Sequence, residues 1–122
     1  MYSIPPILAK ILLIVRIIAS VLPILAMIAL IPLIRNDFLL AGIYALFILV
    51  ALAIRQDKKD LVFLAVGIVV PTIGEFLFVS TGAEVFTRDV LIFGIPAWLP
   101  LLWGYVFIMM RRGVAALEKY VR

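Results

Sequence analysis

Glu75 is the one carboxylate set inside an otherwise apolar stretch, residues 61–81, that reads as a membrane-spanning helix. An ionisable side chain at that depth is costly to insert, and function is the usual reason to keep one there. A carboxyl in apolar surroundings can hold a proton, bind a cation or accept a hydrogen bond from a polar ligand group. The plainer reading is a lock between helices, through an ion pair with Arg88 or a hydrogen bond to Thr72. A buried ion pair is weak evidence of stabilisation, because desolvation can exceed the Coulomb gain. Both readings stay open at this point. Arg88 is the expected partner, since the segment GAEVFTRD is one short connection away. Arg16 is expected near the opposite, cytoplasmic end of its helix, where it can snorkel to headgroups.

The residues around Glu75 form a pattern. Gly67, Pro71, Gly74, Phe78 and Gly82 share its face at helical spacing. Pro71 cannot donate to the carbonyl of Gly67, and small residues let a second helix or a flat ligand approach closely. Arg16, Ser20, Pro23 and Ala26 make a similar face on the first helix, and Ala97 with Gly104 a third ridge on the last. Gly67, Pro71, Gly74, Gly82 and Gly104 are therefore the expected helix-packing positions. The segment IFGIPAWLPLLWGY is the second distinctive stretch. Gly94-Ile95-Pro96 reads as a bend at the outer interface. Trp98 fits an interfacial aromatic belt. Trp103 and Tyr105 lie deeper, where each needs a hydrogen-bond partner or a cavity. The candidate ligand or proton site is thus Glu75, Arg88, Thr72, Trp98, Trp103 and Tyr105, with aromatic packing as the plain alternative and an aromatic wall for a polyene as the functional one.

Composition narrows the chemistry. The chain has no Cys and no His, which removes disulfides, Cys/His zinc, His-ligated haem and the imidazole proton shuttle. No metal site and no cofactor are expected. No phosphate-binding glycine loop or serine-nucleophile elbow is present. Of the 122 residues 67% are hydrophobic and 15% charged. A soluble domain of this length could not bury so much apolar surface. The net charge of +4 comes from basic residues lying between apolar spans, so it reads as topology and anionic-lipid contact, not nucleic-acid binding.

The elements that must position these residues are four apolar spans, at about 6–34, 38–54, 61–81 and 90–110. Lys10, Arg16, Pro23 and Pro32 interrupt the first, and whether residues 6–16 cross the membrane or lie on it is open. Asp37 and Asp60 read as N-caps of the second and third helices. Arg111, Arg112 and Gly113 read as the end of the fourth, with an interfacial tail. With four crossings, one side carries Lys10, Arg16, Arg55, Lys58, Lys59, Arg111, Arg112, Lys119 and Arg122, and the other only Arg35 and Arg88. That asymmetry puts both termini in the cytoplasm. Fourteen residues of helix separate Leu61 from Glu75, about 21 Å, which puts Glu75 in the outer half of the bilayer.

The order GE, TGA, F-x-R-D, GIPxWLPxxWG and Arg-Arg over residues 71–112 resembles a group of small uncharacterised bacterial and archaeal integral membrane proteins. More loosely it is similar to membrane-bound carotenoid-biosynthesis proteins of the bisanhydrobacterioruberin hydratase type. By motif that resemblance carries over Glu75, Thr81, Gly82, Phe86, Gly94, Pro96 and Trp103. The chain is much shorter than those enzymes and has Ala83-Glu84-Val85 where they favour Pro-Phe-Gly.

The expectation is an all-α, multi-pass protein of the cell membrane, with four transmembrane helices in a single domain over 1–122. Its leading role is a non-enzymatic subunit or scaffold, packed against copies of itself or a larger membrane complex, with membrane lipid or a carotenoid as guest. Two alternatives remain: an isoprenoid-modifying enzyme using Glu75 as acid with Arg88 orienting it, and a small proton-coupled transporter.

Overall fold

Four helices and one short hairpin follow one another along the chain in the computed structural model, which describes residues 5–88 and 91–121. They are α1 (Pro6–Leu30), α2 (Asp37–Ile54), α3 (Lys58–Ser80), the strands β1 (Leu91–Ile92) and β2 (Ile95–Pro96), and α4 (Leu99–Val121). Val90 and Arg122, used above to bound the fourth span and to count charge, lie outside the described residues. The protein is all-helical apart from the hairpin, and α1, α2 and α3 are each long and apolar enough to cross a membrane.

α1 is unbroken over 25 residues, through Lys10, Arg16 and Pro23, about 37 Å at the helical rise. It stops at Leu30, two residues before Pro32, and a turn covers 31–33. Asn36, not Asp37, caps α2: its side chain accepts from the N–H groups of Phe38 at 3.0 Å and Leu39 at 3.2 Å. Asp57, not Asp60, caps α3, accepting from Lys59 N–H at 3.0 Å. Each expected cap instead sits inside the first helical turn and is buried.

α3 ends in a Schellman turn. The N–H of Ala83 bonds the carbonyl of Phe78 at 3.0 Å, and that of Gly82 bonds Val79 at 3.1 Å. Gly82 takes the left-handed position, φ +79°, which only glycine occupies cheaply. A Cβ on Gly82 would meet no neighbour within 4 Å. Its role is the turn, not the helix packing expected of it.

The Gly-Ile-Pro bend is a two-residue β-hairpin. Leu91 pairs with Pro96 and Ile92 with Ile95, and the turn residues Phe93 and Gly94 have φ of +52° and +80°. Two positive φ values give the type I′ turn that matches strand twist. Ala97 precedes α4 and is not part of its ridge. α4 runs straight through Arg111, Arg112 and Gly113 to Val121, so these residues do not terminate it and the tail is helical.

α4 is the element against which α1, α2 and α3 all pack. It meets α3 antiparallel at two glycines. A Cβ on Gly67 would fall 2.7 Å from Phe107 Cβ and 2.8 Å from the Trp103 carbonyl, and one on Gly104 would fall 2.7 Å from Leu64 Cδ1. Glycine at both sites lets the two backbones approach. On the other side of α4, Met27, Leu40, Tyr44, Ile48 and Ile108 form the buried core with α1 and α2. The Tyr44 hydroxyl donates to the carbonyl of Met27. That carbonyl lies in the last turn of α1, where intrahelical donors run out.

Candidate functional site

Glu75 lies on the α3 face turned toward α4, and Trp103 is its neighbour there. The indole Nε1–H donates to Glu75 Oε1 at 3.3 Å, which supplies the partner that a deep Trp needs. The second partner is Glu84. The Schellman turn sends the chain back along α3, and Glu84 N–H bonds the carbonyl of Phe78 at 3.3 Å. This brings the Glu84 carboxyl within hydrogen-bonding reach of Glu75. Glu75 Oε2, Glu84 Oε1 and Thr72 Oγ1 are enclosed, with no hydrogen-bond partner among the described residues. Two carboxylates are both acceptors, so they can be joined only through a proton held between them or a donor placed between them. The expected Thr72–Glu75 hydrogen bond is not formed.

Thr72 also lines a cavity of about 330 Å³ between α3 and the hairpin. Ile73, Phe76, Phe93, Ile95, Pro96 and Pro100 are among its other walls, and Phe76 meets Phe93 edge to face at 6.1 Å. Gly94 allows this approach as well as the turn, because a Cβ there would fall 2.7 Å from Val79 Cγ1. Of the three unmet oxygens, the Thr72 hydroxyl belongs to a residue that lines this apolar cavity, whereas Glu75 and Glu84 are not among its walls.

Arg88 is not in this site. Its Nε donates to Asp37 Oδ1 at 2.7 Å, and its terminal nitrogens donate to the carbonyls of Ile31 at 2.8 Å and Ile34 at 2.6 Å. The carbonyls that follow the end of α1 form a ready cation site, and Asp37 at the start of α2 completes it. The expected Glu75–Arg88 pair is therefore replaced by Asp37–Arg88, both nearly inaccessible at 0% and 8% exposure. Trp98 belongs to the same lock. It is 3% exposed, donates to Asp37 Oδ1 at 2.9 Å and lies under the Arg88 guanidinium at 5.5 Å. It is a buried structural residue, not part of an interfacial belt. Tyr105 is also remote from Glu75, buried edge-on against Phe47. Of the six candidate residues the structure gathers Glu75, Thr72 and Trp103, and separates Arg88, Trp98 and Tyr105.

A second lock closes the other end. Asp60 accepts from Arg111 at 2.7 Å and from Arg112 at 2.8 Å. Arg111 also bonds Asp57 at 2.8 Å, and Arg112 donates to the carbonyl of Ala51 at 2.9 Å. The Lys59 backbone N–H, supported by Arg111, holds the Asp57 carboxyl below its ordinary value. The two locks share one plan. An acid in the first turn of a helix, where the helix dipole favours it, meets an arginine that also takes carbonyls at or just beyond the end of the preceding helix.

Sequence reasoning missed Glu84 and the two locks. The available signal was charge by depth: Asp37 and Arg88 are on one side of the spans, Asp60, Arg111 and Arg112 on the other. Comparison with protein-family models, with curated proteins and with solved structures finds no match.

Proposed function

We propose that the chain is a small four-span protein of the cell membrane, with both termini cytoplasmic, that works without catalysis as a subunit beside copies of itself or within a larger membrane complex. Its working site is the Glu75 corner, which takes a hydrogen-bond donor from outside the chain: the polar end of a lipid or isoprenoid whose apolar part enters the adjacent cavity. One observation carries this reading. Among the described residues Glu75 has no cation, since Arg88 is committed to Asp37, and three enclosed oxygens at the corner lack a hydrogen-bond partner. Buried acceptors left unmet are costly, and a guest that satisfies them gains that energy on binding. Charge asymmetry supports the topology. The apolar part of α4, Leu99–Met110, is only about 18 Å long, and the hairpin packed beside the last turns of α3 fills the remaining depth.

The test is purification in mild detergent from native membranes, with native mass spectrometry of the wild type and Glu75→Gln. The wild type should retain a guest or partner that Glu75→Gln loses while its helicity and melting are unchanged. Equal retention by both proteins would overturn the reading. A second reading rests on the juxtaposed carboxyls of Glu75 and Glu84: a proton held between them would suit a proton-coupled transporter, which should lose coupled flux in vesicles on the same substitution. The enzymatic alternative, with Arg88 orienting Glu75, draws no support from this geometry.

A further inference from the structure

At the end of the bundle that holds Arg111 and Arg112, a cleft of about 410 Å³ opens between α1, the end of α2 and α4. Four basic side chains line it: Arg16 from α1, Arg55 from the end of α2, and Arg112 and Lys119 from α4. Asp60 answers Arg112. Arg16, Arg55 and Lys119 have no ion pair among the described residues. Three cations with no such pair, from α1, α4 and the residue that follows α2, thus line one concavity.

The cleft does not end there. Ala19, Ser20, Ile54 and Arg112 also border a second cavity of about 600 Å³ that runs toward the middle of the bundle. Its further walls are apolar and aromatic, with Pro23, Phe47, Val50, Tyr105 and Met109 among them. From Arg112 to Tyr105 the floor of the groove descends two helical turns, about 10 Å. A cationic mouth over an apolar groove fits an amphiphile with an anionic head and an acyl chain. No residue lining either part is acidic, so nothing answers the ammonium of a zwitterionic headgroup, while the three cations repel it.

We propose that this cleft binds one anionic phospholipid, its phosphate between Arg16, Arg55 and Lys119 and an acyl chain along Phe47, Tyr105 and Met109. Basic pockets between transmembrane helices on the cytoplasmic side recognise such headgroups. The site is separate from the Glu75 corner: it uses α1 and the end of α2 in place of α3, and shares with that corner only α4, of which it uses other residues.

Native mass spectrometry after titration with phosphatidylglycerol or phosphatidylcholine of matched chains tests it. The wild type should retain phosphatidylglycerol about tenfold more tightly than phosphatidylcholine. Arg16 and Lys119 make no ion pairs among the described residues, so Arg16→Gln/Lys119→Gln should fold normally and weaken the anionic lipid about 25-fold, at about fivefold for each charge. Lys58→Gln/Lys59→Gln removes two charges outside the cleft and should leave retention unchanged. Equal retention of the two lipids by the wild type would overturn the proposal. So would an equal loss in both double variants, which would mean diffuse surface charge. Displacement of the lipid by millimolar inorganic phosphate alone would overturn it too, since the groove would then contribute nothing.

Discussion

Gly67, Gly74 and Gly104 look alike in the sequence and differ in what surrounds them. Gly67 and Gly104 face α4 and α3 across a contact with no room for a methyl group, whereas a Cβ on Gly74 would meet nothing within 4 Å. Gly67→Ala should therefore cost about 1–3 kcal/mol through overpacking against the Trp103 backbone. Gly74→Ala should be neutral or slightly stabilising, since alanine is the better helix former. Unfolding in mixed micelles measures both, and a loss at Gly74 equal to that at Gly67 would contradict the packing described. Helical spacing put Gly67 and Gly74 on one ridge, which was legible. Which side of the ridge meets a neighbour depends on the register of α4, which no local spacing encodes. Glu75 was legible for the same reason in reverse: an acid in an apolar run stands out alone. Its partners were not, because Arg88 goes to carbonyls left open beyond α1, and Glu84 arrives only through the turn at Gly82.

At the scale of elements, the helices are joined by the two ionic locks at the bundle ends. Asp37→Asn keeps the shape but leaves the Arg88 guanidinium buried without its carboxylate. Breaking one partner of such a pair costs about 3–5 kcal/mol. Removing both charges in Asp37→Asn/Arg88→Met should recover part of that loss, because the stranded charge is gone. Denaturant titration of the two variants decides it; a wild-type midpoint for Asp37→Asn would show the lock to be idle. Asp37 and Asp60 were read as caps because each precedes an apolar run. Both RND and RQDKKD hold more than one residue able to cap. The helix starts farther upstream in each case, which frees the second acid to turn inward.

On the scale of the whole molecule, the least apolar helix is the one at the centre. α4 carries Arg111 and Arg112 and packs against all the others, while the faces of α1, α2 and α3 turned away from it are rich in exposed Leu, Ile, Val and Phe. The absence of cysteine gives a clean background for mapping which ends share a side. Cysteines introduced at Gln56 and Glu118 should react with an impermeant maleimide from one face of the membrane, and one at Arg35 from the other. Labelling of Glu118→Cys together with Arg35→Cys would mean that α4 and its hairpin do not cross. The two locks also impose an order on biosynthesis. Asp37 leaves the ribosome 51 residues before Arg88, and Asp60 the same interval before Arg111. Each acid is made before its base, so neither lock can close until the later segment has been added. A chain cut short ahead of Arg111 would leave Asp60 unanswered, a mark by which membrane quality control could tell unfinished molecules from finished ones.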